Sequence, residues 1–300
     1  MDDKCIDIEH LNTANIDNLT RLWRLMGAAP WREDDAGRWW RSHNWPHRCW
    51  FEPAPDSAPD PDCPIDRIGG DCIVPWWVTP GPHPVGLGAR LTDHGFVPVL
   101  EQTAMYRTLH DDGTARPADP DLVAITSPGA CAVWAQVAAQ AFAYAVDVAV
   151  IERLAARPGV QLFLVYVAGQ AVATALLYHT GNIAGVHLVG VLNAYRRQGI
   201  ARRLMQALLN QCRHLRTDYV TLQASHAGAA LYRNLGFAPQ FNILSYQRPL
   251  NDRPDRGQRH ERTRRHLPSP RGKTLRPEPD LKRRAGNDAT RGDASGADQL

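Results

Sequence analysis

The chain has no Cys-x-x-Cys pair, no apolar run long enough to span a bilayer, and no apolar leader at its start. Each absence excludes a class of function. The six cysteines (5, 49, 63, 72, 131 and 212) lack the spacing of a metal site or a redox pair, so no metal is expected and free thiols in a reducing cytoplasm are. The opening Met1-Asp2-Asp3-Lys4-Cys5 is acidic and unlike a secretion signal. Without a spanning segment, no membrane partner is expected. Charge is equally uninformative once divided. Residues 251–300 hold 13 Lys/Arg and 8 Asp/Glu, which leaves 21 against 23 in the first 250, a balance of −2. Nothing there calls for nucleic acid.

What remains is ordinary globular composition, 44% hydrophobic and 22% charged, on a chain long enough for one large or two small domains. Residues 251–300 stand apart. Their large apolar residues are Leu267, Leu275, Leu281 and Leu300, among Arg, Asp, Pro and Gly. Such a segment cannot bury enough to offset its ordering entropy, which predicts a disordered tail. Residues 111–121 are a polar, proline-containing stretch and are read as a linker. Before it, residues 1–110 begin with a helical pattern from Leu11 to Met26. A tryptophan-dense stretch (Trp31, Trp39, Trp40, Trp45, Trp50) and a loop rich in Pro and Asp over 53–64 follow. The tryptophans are expected in an inter-domain or dimer core, or closing a pocket. A homodimer is therefore one expectation.

The informative stretch is Val189-Gly190-Val191-Leu192-Asn193-Ala194-Tyr195-Arg196-Arg197-Gln198-Gly199-Ile200-Ala201. A β-branched apolar run ends in a basic turn and passes a glycine into a helix with apolar residues at 200, 201, 204, 205, 208 and 209. A first helical turn offers unpaired N–H groups and partial positive charge, a ready anion site. Glycine at 199 permits close backbone approach, and arginine forks suit phosphate.

The spacing Arg196-x-x-Gly199-x-Ala201 resembles the pyrophosphate loop of the GCN5-related N-acetyltransferases, the GNAT family. A second stretch, Thr221 to Phe237, resembles that family's strand, helix and Leu-Tyr-x-x-x-Gly-Phe ending (Leu231-Tyr232-Arg233-Asn234-Leu235-Gly236-Phe237). The predicted order from residue 122 onward, β-α-α-β-β-β-α-β-α-β, is also the family's. The resemblance implies an α/β (α+β) GNAT fold over 122–250, with a mixed, mostly antiparallel sheet flanked by helices. A weak internal repeat accompanies it: Leu91 to Pro98 parallels Tyr232 to Pro239, and a tyrosine follows each (106 and 246). Residues 1–110 are therefore expected to form a smaller, degenerate GNAT-like domain. It lacks a basic pyrophosphate loop, so no cofactor is expected there.

The resemblance further implies an acetyl-CoA-dependent N-acetyltransferase that acts on a primary amine of a small molecule by direct attack on the thioester. Cofactor contacts fall on Arg196, Arg197, Gln198, Gly199, Ile200 and Ala201 for the pyrophosphate. Leu188, Val189, Gly190 and Val191 would bind the pantetheine arm and polarise the thioester through backbone N–H groups. Ser225 stands where relatives use asparagine against the cofactor. Tyr232 is the candidate general acid. The strand from Asn182 to Leu192 has no carboxylate, so His187 is the candidate base, with His179, His226 and water-mediated proton loss as alternatives. The acceptor is expected between helices over Ala130–Ala156, where Phe142 and Tyr144 set an aromatic tone. Two other readings stay open: a non-catalytic acyl-CoA sensor or assembly protein, and an N-acetyltransferase of proteins.

Overall fold

A computed structural model describes residues 7–54, 64–78, 86–109 and 122–249. The predicted linker and tail, and most of the loop over 53–64, lie outside these residues.

The N-terminal segment begins with α1 (Ile8–Leu25), started by Asp7, whose carboxylate accepts from the backbone N–H of Glu9 and His10. Three short strands follow, β1 (Ala28–Asp34), β2 (Gly37–Ser42) and β3 (Cys49–Pro53), forming an antiparallel sheet of their own. The tryptophan-dense stretch is thus a small sheet. Alternation puts Trp39 and Phe51 on one face, against Ile65, Ile68 and Leu91. Trp40 and Trp50 go to the other, where they stack 6.0 Å apart. Trp39, Trp45 and Trp50 are buried within the chain's own core.

Among the described residues, every other strand joins one eight-stranded sheet, in the order β4-β11-β5-β10-β9-β8-β7-β6. Its members are β4 (Ile73–Val78), β5 (Val97–Thr108), β6 (Leu122–Ile125), β7 (Val160–Val167), β8 (Gln170–Thr180), β9 (Ile183–Val191), β10 (Tyr219–Ser225) and β11 (Ala238–Gln247). The helices are α2 (Leu87–Asp93), α3 (Pro128–Phe142), α4 (Val148–Ala155), α5 (Ile200–His214) and α6 (His226–Asn234). Ser127 caps α3, and Asp147 caps α4. One core lies between the sheet and α1, α3 and α4, around Trp134, Ile151 and Leu164; the other lies beneath α5 and α6, around Leu204, Leu208 and Val220. The α/β fold class and the element order from residue 122 are those predicted.

Strands from both sides of residues 111–121 pair in this sheet. β5, from the first 110 residues, lies between β10 and β11, antiparallel to both, and β4 pairs with the outer side of β11. The two parts of the chain share one sheet because β5 and β11 are each paired on both sides by strands of the other part. The repeat takes this geometric form. In β4-α2-β5 and β10-α6-β11, neither strand pair is adjacent within its own unit. Each unit's first strand pairs with the other unit's second. Tyr106 stands opposite Ala238 and Tyr246 opposite Pro98, each across from the other unit's Gly-Phe ending. Phe96 and Phe237 are both buried. The Arg107 guanidinium donates to the Leu235 carbonyl, and the Arg248 guanidinium lies 4.7 Å over the Phe96 ring.

Candidate active site

Strands β9 and β10 run parallel and pair from Ile183/Tyr219 to Val186/Leu222, but no further. Beyond that point they diverge, β9 to Val191 and β10 to Ser225. The opening is forced from the β8 side. Pairing with β8 slips between Leu176/His187 and Thr174/Gly190, leaving Leu188 and Val189 as a bulge, with Leu188 at φ 52°. Thr174 Oγ1 donates to the Leu188 carbonyl at 3.0 Å, which satisfies an acceptor the ladder has lost. Gly190 sits under α3: a methyl group there would approach Ala141 Cβ and the Phe142 ring at 2.9 Å. Its glycine is required by helix packing.

The loop after β9 makes a 3₁₀ turn at Asn193–Tyr195 and enters α5 through Gly199, at φ 77° with open space where a Cβ would stand. No side chain caps α5, and the first bond back to Gly199 comes from the N–H of Arg203. The donors of Ile200, Ala201 and Arg202 therefore face outward, as an anion site requires. The loop's polar side chains divide their labour. Arg196 donates through Nε to the Val191 carbonyl (3.1 Å) and through Nη2 to the Ala141 carbonyl (2.9 Å), fastening the loop to the end of α3. Gln198 donates to the Ala194 carbonyl at 3.2 Å and is not among the residues lining the cleft. The Gln198 side-chain amide thus holds the turn. Arg197 lines the cleft, with Arg202 beside it.

The opening is continuous with a cleft of about 530 Å³. It brings together Leu188, Val189, Gly190, Val191, Arg196, Arg197, Gly199, Ile200, Ala201, Ser225, Tyr232 and His187 from the expected set. Neither His179 nor His226 lines it. Ser225 Oγ accepts from the Gly228 N–H at 3.3 Å and caps α6, which carries Tyr232 about two turns later. Burial pushes the Tyr232 phenol up to about 12, so it stays protonated at neutral pH.

His187 lies in a polar network that sequence reading missed. Asn18 donates its amide to the Tyr178 carbonyl (3.0 Å) and Thr180 Oγ1 (2.9 Å), which turns Oδ1 toward His187 Nε2 at 2.9 Å. The imidazole therefore carries its proton on Nε2. Burial holds its pKa down at about 4, against a smaller opposing effect of Gln223. Gln223 donates to Asn15 Oδ1 (2.7 Å), and Asn15 in turn donates to Gln240 (2.5 Å) and to the Met105 carbonyl (3.3 Å). Asn15 and Asn18 share the inward stripe of α1 with Leu11 and Leu22. Two asparagines on an apolar stripe are a visible signal in sequence; their partners, far along the chain, are not.

The cleft's far wall comes from the N-terminal segment and the α3–α4 connection: Leu19, Trp23, Trp45, Arg48, Phe142 and Tyr144. Among the described residues, no Asp or Glu lines the cleft. Splayed parallel strands, an uncapped glycine-led helix start and a buried tyrosine after the next strand meet in this one cleft. The family model for the acetyltransferase (GNAT) domain matches residues 158–239. Those residues are a GNAT domain. They contain β8, β9, the basic loop, α5, β10 and α6, which carry most of the site.

The fold likeness extends beyond the matched residues. A GCN5-related N-acetyltransferase from Kribbella flavida shares 18% identity, covering 79% of this chain and 95% of its own, with a TM-score of 0.53. A GCN5-related N-acetyltransferase from Sphaerobacter thermophilus shares 21% identity with a TM-score of 0.45. That match covers 58% of this chain, and the chain spans 59% of that protein's length. No curated protein matches the chain. The GNAT family supports acetyl transfer as the general chemistry.

Proposed function

We propose that this protein is an N-acetyltransferase that moves an acetyl group from acetyl-CoA to the primary amine of a small molecule. The observation that carries the reading is the opening between β9 and β10, which runs without interruption from the uncapped start of α5 to Tyr232 and His187. The residues fit the donor. The N–H groups of Ile200 and Ala201, with Arg197, would hold the pyrophosphate, and Gly199 leaves room for it. The unpaired edge of β9 past Val186 would hold the pantetheine arm and supply donors to the thioester oxygen. When bound, acetyl-CoA supplies the activated acetyl group. The acceptor nitrogen then forms a bond to the carbonyl carbon and the carbon–sulfur bond breaks. Nitrogen loses one proton and sulfur gains one.

Two roles differ from first expectation. With a pKa of about 12, Tyr232 is a weaker acid than a thiol, so it serves the departing sulfur as a hydrogen-bond donor. With a pKa of about 4 and Nε2–H engaged, His187 is a weak base. It positions Asn18 and Gln223, and water removes the ammonium proton.

The test is thermal stability with and without acetyl-CoA, in wild type and in Gly199→Glu. A ligand that binds the native state raises the melting temperature by mass action. A rise in wild type that vanishes in the variant supports the reading, and thiol release with an amine panel then measures turnover. No rise in either protein would overturn it. A rise without turnover on any amine would favour a non-catalytic acyl-CoA-binding role.

A further inference from the structure

Arg48 lies outside the basic loop assigned above to acetyl-CoA. It stands just before β3, its guanidinium 5.7 Å over the Trp23 ring and beside Tyr144, in the wall of the cleft. Burial pushes it down to about 10, which leaves it charged at neutral pH. Its Nη1 is enclosed without a hydrogen-bond partner. Other arginines near the cleft are engaged: Arg196 on two carbonyls, Arg153 on the Met26 carbonyl, and Arg24 on Glu52 at 2.6 Å. Glu52, the carboxylate nearest in sequence, also accepts from Trp40 Nε1. Among the described residues no carboxylate pairs with Arg48, and Tyr144, pushed up to about 12 by its own burial, stays neutral beside it. A half-buried guanidinium whose Nη1 is enclosed without a counter-charge is costly to keep. Its fork has the geometry of a carboxylate.

We propose that the acetyl acceptor is an amino carboxylate with an apolar or aromatic body, and that Arg48 binds its carboxylate. This rests on the acetyl-transfer reading of the same cleft. Trp23, Trp45, Phe142 and Tyr144 take the body of the molecule, and its amine is directed toward β9. The assignment also explains how the site works without a carboxylate base. In a cleft lined by arginines and, among the described residues, by no Asp or Glu, the acceptor's ammonium is disfavoured relative to its free amine, which eases the proton loss that precedes attack.

The experiment uses the full chain in wild type, Arg48→Gln and Arg48→Lys. The probes are leucine, methionine, phenylalanine and tryptophan, each beside its carboxamide. Melting temperature is read with and without acetyl-CoA, and thiol release is read for each acid–amide pair. In wild type the acid should raise the melting temperature more than its amide does and show a KM lower by about tenfold or more. Arg48→Gln should erase the difference and keep the acetyl-CoA shift, and Arg48→Lys should retain part of it. Without ligand, Arg48→Gln should melt no lower than wild type, since it removes an unpaired buried charge. A purely structural arginine would lower it. Equal response to acid and amide across the panel in wild type, or discrimination that survives Arg48→Gln, would overturn the proposal. An acid-over-amide shift in a protein that ignores acetyl-CoA would overturn the acetyl-transfer reading and leave the carboxylate site standing.

Discussion

Gly185 shows how closely single atoms are fitted around His187. A methyl group there would overlap Asn18 Oδ1 and His187 Nε2, so Gly185→Ala should cost about 1–3 kcal/mol by overpacking, measurable by urea unfolding. The imidazole itself links stability to pH. Its folded pKa of about 4 lies below the unfolded value of 6.5, so between these values the unfolded chain binds more protons. Stability from this group is present above pH 6.5 and falls as pH drops toward 4, by about 3 kcal/mol over the window. Melting curves from pH 7 to 4 should show this slope in wild type and lose most of it in His187→Gln, whose amide can still donate to Asn18. At this scale the sequence disclosed positions better than roles. Tyr232 and His187 were legible from strand and helix order. Their acidities were not, since these depend on burial: His187 by α1, about 170 positions away in the chain, and Tyr232 in the core beneath α5 and α6.

The element that decides the site is β9, and the residue that maintains its bulge is on β8. Thr174 is fully buried among the apolar residues of mid-β8, bonded to the carbonyl that the bulge frees. Thr174→Val keeps the shape and removes the donor. It should cost about 1–3 kcal/mol, the penalty of an unpaired buried carbonyl, and should weaken acetyl-CoA binding in titration calorimetry, because the strand edge loses its set. Elements with strong periodicity were legible: α1 and α5 lie where the pattern put them, within a few residues. The bulge was not, since alternation along β9 has no marker for a one-residue slip. Nor were β1 to β3, whose tryptophans signalled a core without signalling strands. The basic loop was legible as a loop, but the inward use of Arg196 follows from where α3 ends.

Across the whole molecule, the interleaving of β4, β11, β5 and β10 makes the N-terminal segment part of the GNAT sheet. A fragment of residues 122–249 would lack β5, leaving β10 and β11 without their shared neighbour. It should show no cooperative unfolding transition by circular dichroism. Supplying residues 1–109 as a separate chain should restore the transition if pairing alone is required. The exchange of strands was hidden because a repeat in sequence does not reveal which copy its strands pair with. It also sets a timetable for biosynthesis. Protein chains emerge from their N-terminus, so β11, an interior strand of the finished sheet, arrives after every other strand has been made. Until it does, β4 and β5 each present an open edge, the kind of surface that recruits foreign strands. Chaperone demand should therefore peak late, and a ribosome stalled before codon 238 would release a chain with two open edges and an unfinished cleft.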